Sequence, residues 1–394
     1  MYIKKRRFFV VFMTMVMILI NLVMTLSAKA APAAALELVS PSAILMEAST
    51  GTVIFEKNSE ERRSPASITK IMTLLLIFDA LEKGQISLED EAVTSAYAMS
   101  MGGSKVFLET GEVQTVDTLI KCIAVASGND ASVVMAEHIA GSEAAFVELM
   151  NQRAESLGLK NTHFEDCCGL TSSENHYTCA YDVAVMSREL ISRYPGIFEY
   201  CGIWMEDIVH HTARGDEIFT LSSTNKLLRQ YPYATGLKTG YTSVAGHCLS
   251  ATAQKNEVNM IAVVLAAPDS ASRFREAQML LEYGFSCCNL YVDENTQPLS
   301  PAPVLRGKRE RVSAGYASEF RCISVDGTVL DGIEKEIVYT QGLTAPVTEG
   351  DVVGSAIYRI EDKVIGTVDI VATETIEAAG LSDYMGKVFQ QFLL

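Results

Sequence analysis

The apolar positions of this chain change period several times. Phe8 to Leu26 is almost wholly apolar and follows the cationic run Lys4, Lys5, Arg6 and Arg7. With Ala28-Lys-Ala30 as a small-x-small site, this predicts an export signal over residues 1–30. The run is also long enough for an uncleaved membrane anchor. In both cases the rest of the chain lies outside the cytoplasmic membrane. Ile44-Leu-Met46 and Val53-Ile-Phe55, separated by Ser49-Thr-Gly51, predict a hairpin. From Ile68 the period becomes helical: Ile71, Leu74, Leu75 and Phe78 recur on one face, and Gly84 closes the helix.

Helical patterns then dominate to about residue 200. They cover Val116 to Ala126, Asn129 to Ile139, Glu143 to Leu157 and Tyr181 to Leu190. Tyr241 to Ala253 and Val258 to Ala267 are strongly apolar and joined by Gln254-Lys-Asn-Glu257, which predicts antiparallel neighbours. Ser272 to Phe285 reads as a closing helix. Strands at both ends of a helical middle predict an α/β domain with an inserted helical subdomain.

Near Asn289 to Val304 the composition shifts, and Asp293 to Pro298 with Pro301-Ala-Pro303 reads as a linker. Short β-prone runs follow (Arg321 to Ile323, Val338 to Tyr339, Val352 to Tyr358, Val364 to Ala372), predicting a small, mostly β domain of sandwich type. The expected divisions are 31–290, 291–373 and a final amphipathic helix, 374–394. In that helix Leu381, Met385, Val388 and Phe392 form an apolar stripe, widened by Tyr384, Phe389 and Leu393. It docks either on a membrane surface or on its own β domain.

Charge and cysteine content narrow the classes. The 394 residues carry 32 basic and 48 acidic side chains, net −16. Five of the basic residues and none of the acidic ones fall in the first 30, so the remainder carries −21. Such a surface argues against nucleic-acid binding. Nine cysteines lack the spacing of a disulfide scaffold, although Cys167-Cys168 and Cys287-Cys288 are adjacent pairs. They are expected to be mostly free and part-buried. No Cys-x-x-Cys and no zinc-spaced His/Cys set occurs, so neither metal nor cofactor is expected, and His210-His211 reads as loop.

Candidate chemistry rests on three short motifs. In Ser64-Pro-Ala-Ser-Ile-Thr-Lys70, Ser67 precedes the helical pattern and Lys70 follows one turn later on the same face. Unpaired N–H groups at a helix start favour developing negative charge, and a lysine of lowered pKa can activate a serine hydroxyl. Lys238 is the expected source of the positive charge that lowers it. Ser127-Gly-Asn129 interrupts two helical patterns, so Ser127 suits a proton relay to Lys70 and Asn129 a clamp on Lys70 and a substrate amide. Lys238-Thr-Gly240 borders the apolar run from Tyr241. On an edge strand, Gly240 would admit a substrate backbone as an added strand, and Thr239 would contact a terminal carboxylate. The backbone N–H groups of Ser67 and Tyr241 would form an oxyanion hole.

At these motifs the chain resembles the serine-type D-alanyl-D-alanine carboxypeptidases, the low-molecular-mass penicillin-binding proteins of peptidase family S11. Met101-Gly-Gly-Ser104, Ala126 to Ala131, Thr178 to Asp182 and Gly236 to Thr242 carry the resemblance further, with the flavour of Gram-positive forms including sporulation-linked ones. It spans about Ala35 to Phe285, and the β domain and tail match the family's layout. It implies the penicillin-binding/β-lactamase-like transpeptidase fold, an antiparallel sheet with a helical subdomain. It also implies removal of the terminal D-alanine from peptidoglycan stem peptides through a serine acyl-enzyme, with β-lactams as covalent inhibitors. Ser67, Lys70, Ser127, Asn129, Lys238, Thr239 and Gly240 take the family's roles, and Arg273 is a carboxylate-binding candidate. Phe164 to Leu170 departs from the family's usual asparagine and proline ahead of Gly-Leu. Alternatives are a D,D-transpeptidase or endopeptidase, a β-lactamase using Glu165, and a non-catalytic sensor.

Overall fold

The computed structural model describes residues 36–212, 215–325 and 327–385. The expected export signal and residues 386–394 of the expected terminal helix lie outside them. Met1–Leu38 and Val39–Leu394 are separate units, and the second holds everything below.

The centre is a five-stranded antiparallel sheet. Its strands are β1 (Ser42–Glu47), β2 (Val53–Lys57), and a later set in the order β2-β1-β9-β8-β7. That later set comprises β7 (Ala234–Thr242), β8 (Gly246–Lys255) and β9 (Val258–Ala267); β3 to β6 lie outside this sheet and are given below. The β1–β9 register places Met46 opposite Ile261 and Ile44 opposite Val263. These four belong to the large core shared with the helices. The alternate residues Leu45 and Met260 instead press on Gly284 of a covering helix. Both faces are therefore buried, which is why these strands read as continuous apolar runs.

Between β2 and β7 lies the helical subdomain. A 3₁₀ turn, Ala66–Thr69, runs directly into α1 (Lys70–Glu82). α1 is apolar almost all round, with Ile71, Met72, Leu74, Leu75 and Ile77 buried, so it forms the axis of the core. Around it stand α2 (Val116–Ala124), α3 (Asn129–Ala140), α4 (Glu143–Ser156) and α5 (Ala180–Arg193). α6 (Ser270–Cys287), which carries Gly284, covers the other face of the sheet.

Several expectations change here. The run from Tyr241 to Ala253 is not one strand: β7 ends at Thr242, and β8 starts at Gly246. Lys238-Thr-Gly240 lies inside β7, which is the sheet's edge. Two strand pairs interrupt the helical region, β3 (Glu91–Val93) with β4 (Val113–Thr115), and β5 (Met205–Thr212) with β6 (Gly215–Ser222). Their short or polar strands carry little hydrophobic periodicity.

The expected linker is bounded closely by paired strands, with residues 294–301 free of helix and strand. Asn289–Asp293 pairs with Phe320–Ser324, and Ala302–Pro303 with Arg311–Val312. Only Cys288 separates α6 from that first strand. The rest of the β region is a four-stranded antiparallel sheet ordered 314–316, 363–372, 352–360, 333–339. Phe320 stacks on Tyr358 at 3.7 Å between ring centroids and ties a two-stranded ladder to that sheet. Pairing continues past residue 373, through the bridges Val347↔Ile376 and Gly307↔Ala378. All nine cysteines are free thiols, six of them buried.

Because α1 carries Lys70, its packing sets the position of that amine. Leu75 is fully buried. Leu75→Ala should destabilise the protein by about 2–5 kcal/mol, read as a lower urea midpoint.

Candidate active site

Ser67 sits in the 3₁₀ turn and is only half-buried, whereas Lys70, at the first position of α1, is fully buried. The ammonium of Lys70 has three partners: Ser67 Oγ at 3.1 Å, Asn129 Oδ1 at 2.6 Å and the Cys168 carbonyl at 2.8 Å. Two of these can only accept. A neutral amine has two N–H bonds and one lone pair. With both N–H bonds given to Asn129 and Cys168, the lone pair is left facing Ser67, the one partner with a proton to give. The geometry is that of a base aimed at a hydroxyl.

Burial lowers the pKa of Lys70 from its ordinary value, against the opposing pull of Cys168, Cys167, Asp166 and Asp130. Burial is the largest cause, and the mutual repulsion of Lys70 and Lys238 acts beside it. Lys238 is itself driven well down, first by burial and then by the charges of Lys70 and Arg273. Lys238 Nζ donates to Ser127 Oγ at 2.9 Å and to the Thr239 carbonyl at 3.1 Å. Ser127 is thus held by Lys238, not by Lys70 as its motif suggested. It lies in the left-handed region at φ 61, between α2 and α3. A non-glycine residue there costs roughly 1–3 kcal/mol, which the surrounding packing must offset.

Asn129 opens α3. Its Nδ2 donates to the Gly102 carbonyl at 2.7 Å, and its backbone N–H to the Ser104 carbonyl at 2.8 Å. Its side-chain amide therefore first bridges Lys70 to the Met101–Ser104 segment. Thr239 is buried, and its Oγ1 lies 2.6 Å from Thr224 Oγ1. Gly240 has a different reason from the one expected. A Cβ there would stand 2.9 Å from the Pro65 carbonyl and 3.1 Å from the Ile68 nitrogen. The close approach is that of the Ser67 turn packing on β7. Tyr241 is exposed and stacks on His247, ring centroids 4.4 Å apart. Arg273 is buried and donates to the carbonyls of Gly240 at 2.9 Å and Cys248 at 3.2 Å, so it braces the ends of β7 and β8.

The loop that departs from the family pattern is organised by an acid the motif reading passed over. Asp166 accepts from the backbone N–H groups of Cys168, Gly169, Leu170 and Thr171. Against the cost of its burial, the charge of His176 and then these bonds hold its pKa low. A short acid ahead of a glycine turn is a legible Asx-type signal in retrospect. His176 had no such signal. Its Nδ1 accepts from the Glu165 N–H at 3.0 Å, which leaves Nε2–H to meet Thr69 Oγ1 at 2.8 Å, and Thr69 in turn donates to the Ala66 carbonyl at 2.8 Å. Burial keeps this imidazole neutral by lowering its pKa. Glu165 is exposed, and it is its backbone that engages the loop.

The sequence profile of the D-alanyl-D-alanine carboxypeptidase peptidase family matches residues 27–269, and that of the penicillin-binding protein 5 C-terminal domain matches 290–378. The chain is 40% identical over 345 residues to the D-alanyl-D-alanine carboxypeptidase DacF of Bacillus subtilis, covering 87% of each. A structure of penicillin binding protein 5 from Haemophilus influenzae superposes with a TM-score of 0.68 at 28% identity, over 86% of this chain and 98% of that one. The peptidoglycan synthesis regulatory factor PBP3 of Streptococcus pneumoniae gives 0.70 at 28% identity, over 86% and 100%.

Gly169 couples this loop to the serine turn. It has φ +76, and a Cβ would lie 1.8 Å from the Ala66 carbonyl oxygen. Gly169→Ala should lower the melting temperature, at a cost of at least about 2 kcal/mol, and slow acylation of Ser67 in a stopped-flow assay.

Proposed function

The chain belongs to the D-alanyl-D-alanine carboxypeptidase family, and from that premise we propose that Ser67 is the nucleophile and Lys70 its general base. The enzyme is a serine hydrolase that removes the terminal D-alanine from peptidoglycan stem peptides, and its family binds β-lactams. The observation that carries the assignment is the trio of partners around Lys70 Nζ, which leaves a neutral amine's lone pair for Ser67.

In this reading the peptide lies along the free edge of β7 as an added strand. Lys70 takes the Ser67 proton as Oγ attacks the carbonyl carbon of the penultimate D-alanine. The backbone N–H groups of Ser67 and Tyr241 receive the oxyanion, each worth roughly 3 kcal/mol to the transition state. The proton passes to the leaving amino group through Ser127, which Lys238 orients. Free D-alanine departs, and water attacks the acyl-enzyme with Lys70 again as base. The second N–H of Asn129 Nδ2 is directed to a substrate carbonyl, and Thr239 meets the terminal carboxylate. Arg273 supports that end of the site through the Gly240 carbonyl.

The Lys70 amine must be neutral to act. Its pKa is lowered from 10.5, so acylation by penicillin should rise with pH along a limb centred below 10.5. Lys70→Arg, whose guanidinium stays charged, should cost about 10²–10⁴-fold in acylation. Ser67→Ala should abolish both covalent labelling and D-alanine release from diacyl-Lys-D-Ala-D-Ala. Labelling that survives Ser67→Ala would displace the nucleophile. Mass spectrometry of the products separates hydrolysis from transfer to an amine.

The enzyme acts outside the cytoplasmic membrane, a placement supported by the cationic and apolar first 30 residues. The terminal segment adds a peripheral hold on the membrane. Its described turn leaves Leu381 82% and Met385 51% exposed, which supports this reading. Leu381→Asp combined with Met385→Asp should reduce co-flotation with liposomes while leaving D-alanine release intact.

A further inference from the structure

The loop Phe164 to Leu170 turns two backbone carbonyls to α1 and gathers two thiols elsewhere. The Cys167 carbonyl accepts from Thr73 Oγ1 at 2.5 Å, and the Cys168 carbonyl from Lys70. The reaction uses neither sulfur. Both side chains are fully buried, and their Sγ atoms meet a carboxylate oxygen of Glu143, all within 4.8 Å of one another. Glu143 is held from two sides: Tyr97 Oη donates to Oε2 at 2.5 Å, and the Cys167 N–H to Oε1 at 3.0 Å. Outer partners that fix a carboxylate in this way are a mark of metal sites.

We propose that Cys167, Cys168 and Glu143 form a binding site for one thiophilic divalent cation of the Zn²⁺ class. Ligands at about 2.3 Å (sulfur) and about 2.1 Å (carboxylate) around a tetrahedral zinc stand about 3.6–3.8 Å apart. Atoms within 4.8 Å of one another reach that arrangement by closing about 1 Å or less. Thiolates select such ions over Mg²⁺ or Ca²⁺, and water takes the fourth position. Glu143 is half-buried and Tyr97 half-exposed, so the entry path is on their side. Binding replaces two thiol protons, which leave to solvent, by one dication. The cluster's charge stays at −1, so the electric field at Lys70 changes little. The metal acts through position: it pins the loop that presents the Cys168 carbonyl to Lys70 and Gly169 to Ala66. The sequence concealed this set because Glu143 lies 24 residues from Cys167.

The test titrates the reduced full chain with Cd²⁺ and reads the ultraviolet thiolate-to-metal charge-transfer band. One equivalent should saturate it, Zn²⁺ should compete it away, and the melting temperature should rise with either metal. Cys167→Ser should weaken binding at least tenfold. So should Glu143→Gln, a half-exposed change whose Oε1 still accepts from the Cys167 N–H and whose amide can donate to the Tyr97 hydroxyl, which guards against a folding defect. Cys287→Ser, Cys288→Ser and Cys322→Ser should leave binding unchanged. Absence of a band at one equivalent, its persistence in Cys167→Ser, or its loss with the Cys287–Cys288 pair would overturn the proposal.

Discussion

A fully buried lysine amine with three fixed partners is the constraint on which this molecule depends. Removing an ammonium from water is costly unless each hydrogen is met or the group gives up its charge. Lys70 does some of each. Asn129 Oδ1 and the Cys168 carbonyl meet two hydrogens, and burial pulls its pKa down. The site's reactivity follows from this compromise. An amine better paired with anions would hold its proton and could not act as a base.

Holding those partners requires much of the fold. Asn129 is placed by the break between α2 and α3 and by the Gly102 and Ser104 carbonyls. Cys168 is placed by the Asp166 turn, which rests on the serine turn at Gly169. The serine turn is pressed onto β7 at Gly240. His176 and Thr69 close the circuit by fastening the loop after Phe164 to the Ala66 carbonyl. A loop whose sequence leaves its family's pattern thus supplies one of the three contacts to Lys70, and Asp166 does the organising. The same loop brings together two thiols and a carboxylate outside the reaction path.

Legibility in the sequence tracked the range of the interaction. Ser67 and Lys70 are one helical turn apart, so motif and geometry coincide. Strands β1 and β9 and helix α1 were clear because burial on every side leaves long apolar runs. The hairpin β5–β6 was not, since its strands alternate with many polar, exposed positions. The strand Asn289–Asp293 was not legible either, because its pairing partner, Phe320–Ser324, lies beyond an intervening ladder.

The sequence by itself determined the reagents: a serine and a lysine on one helix face, a Ser-Gly-Asn break and a Lys-Thr-Gly strand. Local spacing is enough for that, because one turn of helix or two residues of strand set which side chains share a face. Only the tertiary structure decided how the reagents are wired. Lys70 reaches partners 59 and 98 residues away, and Lys238, 111 residues from Ser127, takes the serine that the motifs had assigned to Lys70. Gly240 makes room for the chain's own serine turn. Contacts at such separations depend on how helices and sheet pack, and no periodicity along the chain records that packing.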